Sequence, residues 1–191
     1  MDYKGDKFYI ENVLNGRTNA FSFLVDHHKD RAFNLAFRIC GNREEAEEIV
    51  QDSFLKAFRS LGSFKMKSSF STWLYRIVYN TSVSTLRSGH KMILSSLEES
   101  THALNDFSER STIDEMADTE HRNKIVNYAL QKLEEEDRGI IILYYYEEMP
   151  VEDISEVTGL SISAIKTRLF RSRQKMLDVI EKAEKIKILN Q

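Results

Sequence analysis

One proline and seven glycines in 191 residues leave this chain few places to turn sharply. Hairpins and tight β-turns draw on those residues, so an all-β or strand-rich fold lacks its punctuation here. Leu, Ile, Lys, Glu and Arg are abundant instead, and these are good helix formers. The expectation is an all-α protein. Its length allows one or two domains, and 41% apolar with 30% charged residues is an ordinary globular balance. No run approaches the ~18 uncharged apolar residues that a membrane helix needs, so no membrane insertion is expected. Met1 to Asp6 carries acids and no apolar core, which does not read as a signal peptide. Cys40 is the one cysteine, so no internal disulfide can form, and a reducing cytoplasm is expected. With Phe33, Phe37 and Ile39 it reads as a small buried hydrophobe. The five histidines include one adjacent pair, His27-His28, and none has zinc-ligand spacing. No metal, cofactor or small-molecule substrate is expected.

A net charge of −3 hides a strong segregation. From Ser53 to Leu97 there is no acid, while Lys56, Arg59, Lys65, Lys67, Arg76, Arg87 and Lys91 are interleaved with Phe54, Phe58, Phe64, Phe70, Trp73, Tyr75 and Tyr79. Cations that track phosphates and rings that stack on bases suit single-stranded nucleic acid. About half of these rings are also needed for a core. Immediately before lies an acidic segment, Asn42 to Asp52, with Glu44, Glu45, Glu47, Glu48 and Asp52 against Arg43 alone. Ala46, Ile49, Val50, Ala57 and Phe58 recur near helical spacing, so this is an amphipathic helix with an acidic face. Such a face is either simply solvated or a protein-docking surface beside a nucleic-acid surface. Glu98 to Glu120 holds eight acids and one arginine, with weak periodicity. Ser88 to Asp118 therefore reads as a flexible linker between two domains, with its core at 91–118.

The second domain begins near Thr119. Ile125, Tyr128, Ala129 and Leu133 mark one helix. Glu134 to Asp137 forms an acidic first turn for the next, where negative charge suits the helix dipole. The run Ile140 to Tyr146 could form a strand, but its charged flanks and the absence of a hairpin signal favour helix. Pro150 fits a first helical position, and Val151, Ile154 and Val157 face inward. Gly159 supplies a left-handed turn and Ser161 an N-cap, without a full capping box because Ala164 stands at its third position. The last helix buries Ile162, Ile165, Leu169, Ser172 and Met176. Ser163, Thr167, Phe170 and Gln174 lie opposite, flanked by Lys166 and Arg171, with Arg168 and Arg173 nearer the edges. Eight cations against three acids give Ser161 to Gln191 a net charge of +5. A short helix, a Gly turn and a cation-rich helix form the pattern of a DNA-reading helix-turn-helix.

Three segments in order resemble bacterial sigma factors of the small, extracytoplasmic-function type. Asn42 to Phe58 resembles the polymerase-docking helix of that family. Phe70 to Asn80 (FSTWLYRIVYN) resembles its promoter-melting helix. Ile154 to Leu160 followed by Ile165 to Arg173 resembles its second-domain helix-turn-helix. The resemblance implies a first domain over 1–90 that docks on core RNA polymerase through Glu44, Glu45, Glu47, Glu48, Gln51 and Asp52. It implies melting of the minus ten element by Lys65, Lys67, Phe70, Trp73, Tyr75, Arg76, Asn80 and Arg87, with a flipped base held near the loop Leu61 to Ser69. It implies a second domain over 119–191 that reads the minus thirty-five element through Ser161, Ser163, Ala164, Lys166, Thr167, Arg168, Phe170, Arg171 and Arg173. The helix bearing Ile140 to Tyr146 would meet the polymerase flap, and an anti-sigma protein is an implied partner. Ser84 stands where the family often has Asp, Glu134 where it often has Pro, and Ser163-Ala164-Ile165 where a Gly-Thr-Val-like run is common. Base preference is therefore not carried over.

Other readings are a sigma mimic that binds protein but not DNA, and a stand-alone helix-turn-helix regulator. Lys166, Arg168, Arg171 and Arg173 argue against the first, and the acidic helix beside the basic aromatic segment argues against the second. No paired carboxylates, nucleophile triad or phosphate-binding Gly loop point to an enzyme.

Overall fold

The computed structural model describes residues 5–97 and 116–189, and the side chains of 5–89 and 122–183. Eight α-helices stand in the described part: α1 (Gly5–Leu14), α2 (Phe21–Cys40), α3 (Arg43–Ser60), α4 (Phe70–Leu97), α5 (Met116–Gln131), α6 (Glu135–Tyr145), α7 (Val151–Thr158) and α8 (Ile162–Leu189). Among the described residues there is no strand, as the scarcity of turn residues predicts.

In the first module α2, α3 and α4 pack pairwise. Their contact faces follow helical spacing: Leu24, Leu35 and Ile39 from α2, Ala46, Ile49 and Ala57 from α3, Leu74 and Val78 from α4 are buried. The small Ala46 and Ala57, both fully buried, allow α3 to lie close to its neighbours. Phe58 is a departure: it is 39% exposed, its ring lying at the edge of the core 5.1 Å from that of Phe21. Asn42 opens α3 by accepting the Glu45 amide at 3.0 Å, and Glu44 and Glu45 in the first turn suit the dipole. Ser69 caps α4 in the same way, accepting from the Thr72 amide at 3.0 Å. Helix α1 is tied to α2 by His28 Nε2 and Asp6 Oδ1, 2.9 Å apart.

In the second module the run Ile140 to Leu143 is helical and buried in α6. The acids Glu135, Glu136 and Asp137 occupy its first turn. Pro150 is the N-cap of α7, one position before the expected one, and its carbonyl accepts from Ile154 at 3.0 Å. Gly159 ends α7 at φ 74°, with its amide on the Ser155 carbonyl at 2.9 Å. Ser161 accepts from the Ala164 amide at 3.3 Å and caps α8. Ile165, Leu169 and Ser172 are buried as spaced, while Ile162 stays exposed.

Two expectations change. The linker read from residue 88 or 91 is helical backbone up to Leu97, and α5 starts at Met116 rather than Thr119. The low periodicity of the sequence obscured both helix ends, and residues 98–115 lie outside the described residues. The two modules pack on each other: α6 packs on α2 and α4, α7 packs on α4, and both sets of buried side chains form one core cluster. Gly139 makes this approach possible. A Cβ there would stand 2.5 Å from Cε2 of Tyr79 on α4, so a larger residue would displace the Tyr79 ring from its place against α6. No described helix is long and apolar enough to cross a membrane.

Candidate nucleic-acid interface

Two basic strips are exposed, one on each module. The first runs from the 64–69 loop onto α4. Lys65 and Lys67 are exposed in the loop, and Arg76, Asn80 and Arg87 are exposed on the helix. Residues 73, 76, 80, 84 and 87 fall at spacings of three or four, so Trp73 shares that face. Its indole is half-buried, leaning on Phe64 at 5.0 Å and Phe70 at 5.7 Å. Met66, between the two lysines, takes φ 51°. Left-handed backbone at a residue with a side chain is strained and is found preferentially at functional loops. Nothing in the sequence marks Met66 for this.

Phe70 and Tyr75 are not on that surface. They are 2% and 4% exposed and belong to the core. Phe70 packs near His28, 5.1 Å between ring centroids, and the Tyr75 hydroxyl donates to Glu147 Oε2 at 2.7 Å. The helical register decides this: Phe70, Leu74 and Val78 form the buried stripe, with Tyr75 beside it. Burial and the Glu147 carboxylate push the Tyr75 phenol well above its ordinary value, so it stays a neutral donor. Among the rings proposed for base stacking, Trp73 alone keeps an open face in this arrangement.

The second strip lies on α8. Ser161, Ser163, Lys166, Thr167, Phe170, Arg171 and Arg173 are exposed, and Ala164 is half-buried. Phe170 is 63% exposed, more than any other large apolar side chain among the described residues. The cap on Ser161 and the left-handed Gly159 set the angle between α7 and α8, which presents this face. Arg173 lies over the rings of Tyr144 and Tyr145, at 5.9 and 5.7 Å. Arg168 differs from the expectation. It turns toward the start of α6, where its Nη1 donates to Asp137 Oδ1 at 2.7 Å and Glu136 Oε2 at 3.0 Å.

The acidic surface lies on α3. Glu44, Glu47, Glu48, Gln51 and Asp52 are exposed, Glu45 is half-buried at the cap, and Glu47 takes the Arg43 Nε at 3.0 Å. The α6 surface expected to meet the polymerase is mostly covered. Ile140 to Leu143 are buried, and only Tyr145 and Tyr146 are exposed. Cys40 is half-buried at the end of α2, its thiol donating to the Asn42 carbonyl at 3.2 Å; burial pushes its pKa up.

Sequence reasoning missed the residues that join the modules. Arg138 is 6% exposed, and its guanidinium donates to the carbonyls of Leu130, Gln131 and Leu133 around the end of α5 and to Ile39 in the last turn of α2. Those carbonyls have no intrahelical partner, so a buried cation there satisfies two helix ends at once. Desolvation lowers the arginine pKa, although the group stays charged at any ordinary pH. Arg38 lies over the Tyr146 ring at 3.9 Å. A lone arginine at the head of an apolar run was the available signal, but its partners are distant in sequence.

Comparison with known proteins agrees with this arrangement. The family model for sigma-70 region 2 matches residues 24–91, and that for sigma-70 region 4 matches residues 124–176. Region 2 thus spans the acidic helix and the whole of the first basic strip; region 4 spans the helix-turn-helix. The chain is 32% identical over 171 residues to the ECF RNA polymerase sigma factor SigW of Bacillus subtilis, covering 86% of this chain and 91% of that protein. It is 32% identical over 180 residues to the RNA polymerase sigma-H factor of Pseudomonas aeruginosa, covering 88% and 90%. Among solved structures, CnrH in complex with the cytosolic domain of CnrY superposes with a TM-score of 0.66 at 24% identity, covering 93% of this chain and 97% of that one. RpoE in complex with the anti-sigma factor NepR from Bartonella quintana gives 0.64 at 23% identity, covering 84% and 96%. These two show a shared fold. With both family regions in order and relatives matched along most of their length, the chain belongs to the sigma-70 family, in its extracytoplasmic-function (ECF) group of transcription initiation factors.

Proposed function

We propose that this protein binds core RNA polymerase and directs it to promoters, reading the minus thirty-five element with α8 and melting the minus ten element with the 64–69 loop and α4. The observation that carries this reading is the pair of exposed basic strips on separate modules, flanked on α3 by an acidic surface suited to a protein partner. Lys166 and Arg171 lie where they can anchor α8 to phosphate or guanine, with Ser163 and Thr167 between them at base edges. Lys65, Lys67, Arg76 and Arg87 track the single-stranded backbone, and Trp73 stacks on an unpaired base. Melting then needs no bond chemistry: a surface that binds the unstacked strand better than the duplex raises the open population. RNA synthesis belongs to the polymerase, and the protein itself is not an enzyme. Glu44, Glu47, Glu48, Gln51 and Asp52 are the docking residues. An anti-sigma protein is a further partner, by analogy with the NepR complex of the Bartonella RpoE.

The test is capture of genomic fragments by core polymerase from the source organism with and without the protein. Fragments sharing two elements at constant spacing should be enriched only when the protein is present. The double variant Lys166→Glu, Arg171→Glu should lose this set while still binding core. Equal enrichment by core alone, or by the double variant, would refute the reading.

A further inference from the structure

Of the two adjacent histidines on α2, His27 is exposed and His28 is 5% exposed, and the proposed function uses neither. Burying an imidazole costs free energy unless its polar atoms are hydrogen-bonded. Here Asp6 of α1 supplies the partner. A carboxylate accepts, so Nε2 of His28 carries the hydrogen of this 2.9 Å bond. The bond also fixes how the ring is turned, because rotation about Cβ–Cγ would carry Nε2 away from Asp6. The ring so held lies against Phe70, with centroids 5.1 Å apart. Phe64 opens the 64–69 loop and Phe70 follows it, and their rings meet edge-on at 6.0 Å across the base of the loop. Trp73, one turn further along α4, leans on both rings. A continuous series of contacts thus runs from Asp6 through His28 and Phe70 to the indole, and to the loop that carries Lys65, Met66 and Lys67.

We infer that His28, oriented by Asp6, is a positioning residue for promoter melting: it backs the Phe70 ring, and through Phe70 it fixes the indole of Trp73 and the base of the 64–69 loop in the arrangement that receives the unpaired strand. This inference rests on the proposed function above. Packing alone does not call for an imidazole, since a phenylalanine ring fills a similar space with no polar atom to satisfy. What the hydrogen bond adds is a single ring orientation. A surface already held in its binding geometry loses less conformational freedom when the strand arrives. Helix α1 carries no residue of either basic strip, so its influence on melting is transmitted through Asp6.

Trp73 is the one tryptophan of the chain, so the fluorescence of the free protein reports on this site alone. Asp6→Ala removes the acceptor at a position whose side chain is 24% exposed. His28→Phe removes the donor, keeps a ring, and leaves the further interaction of Asp6 in place. Each should lower the anisotropy of Trp73 and shift its emission to the red. In holoenzyme with core polymerase, each should weaken binding to an unpaired minus ten strand about 5-fold, less than loss of the stacking ring itself. Binding to a minus thirty-five duplex should not change. Asp6→Asn keeps an oxygen that accepts from Nε2 and should restore both readouts. Unchanged Trp73 fluorescence and strand affinity in Asp6→Ala and His28→Phe, even with a lowered melting temperature, would overturn the inference and leave the pair as a tie between α1 and α2. So would a loss in Asp6→Asn as large as that in Asp6→Ala. If wild-type holoenzyme binds no unpaired strand, the proposed function fails, and the fluorescence of the free protein still decides the positioning.

Discussion

Ser172 is buried on α8, and among the described residues its hydroxyl is the buried side-chain oxygen left without a hydrogen-bond partner. Leaving a buried hydroxyl unsatisfied costs about 1–3 kcal/mol, whereas an apolar group of similar shape costs little. Ser172→Ala should therefore raise the unfolding free energy by ~1 kcal/mol in a denaturant titration, and a loss of stability would show an unseen partner. Trp73 gives the opposite kind of prediction. Its indole is partly supported by Phe64 and Phe70, and the rest is open. Trp73→Ala should weaken binding of the holoenzyme to an unpaired minus ten strand by ~1–3 kcal/mol. Binding to intact duplex should change less, and an equal loss on both would assign Trp73 a purely structural role. The same scale separates the rings the sequence could not. Phe70, Trp73 and Tyr75 sit within six positions in an acid-free segment, yet helical register buries two and leaves one half-open.

Single elements were legible where a local cause acts alone. The acidic start of α6, the Ser161 cap and the left-handed Gly159 are short-range effects, and the structure has each of them. Helix ends near residues 88–118 were not legible, because no cap or breaker marks Leu97 or Met116. The turn between α7 and α8 is testable at this scale. Gly159 has open space around it, so substitution meets no clash and the whole penalty comes from φ 74°. Gly159→Ala should lower stability by ~1–2 kcal/mol, the cost of holding an L-residue in left-handed backbone. If α8 re-angles to relieve the strain, promoter capture should fall further than stability does. Unchanged stability would mean the turn is not what sets the angle.

At the scale of the molecule, the sequence announced two modules but not their embrace. Arg138, Gly139, Glu136 and Tyr79 lie on α4 and α6, far apart in the chain, and only the fold brings them together. Their chemistry also predicts a pH response. Burial raises the Tyr79 phenol pKa, aided by Glu136, and burial with the Glu147 hydrogen bond raises that of Tyr75. A raised phenol pKa stabilises the folded state below the unfolded value of about 10 and loses that contribution as pH climbs beyond it. Unfolding free energy should thus decline above about pH 10, and Tyr75→Phe should flatten part of that decline. A wild-type profile flat through that range would contradict the buried, neutral phenols.

The central claim is that this chain gives a polymerase its promoters. The most direct measurement is run-off transcription by core polymerase on the captured fragments, with and without the protein. The account predicts discrete transcripts, each starting at a fixed distance downstream of the two shared elements, that appear only on addition of the protein and vanish with Lys166→Glu, Arg171→Glu. Tight binding to core with no new start sites would contradict it.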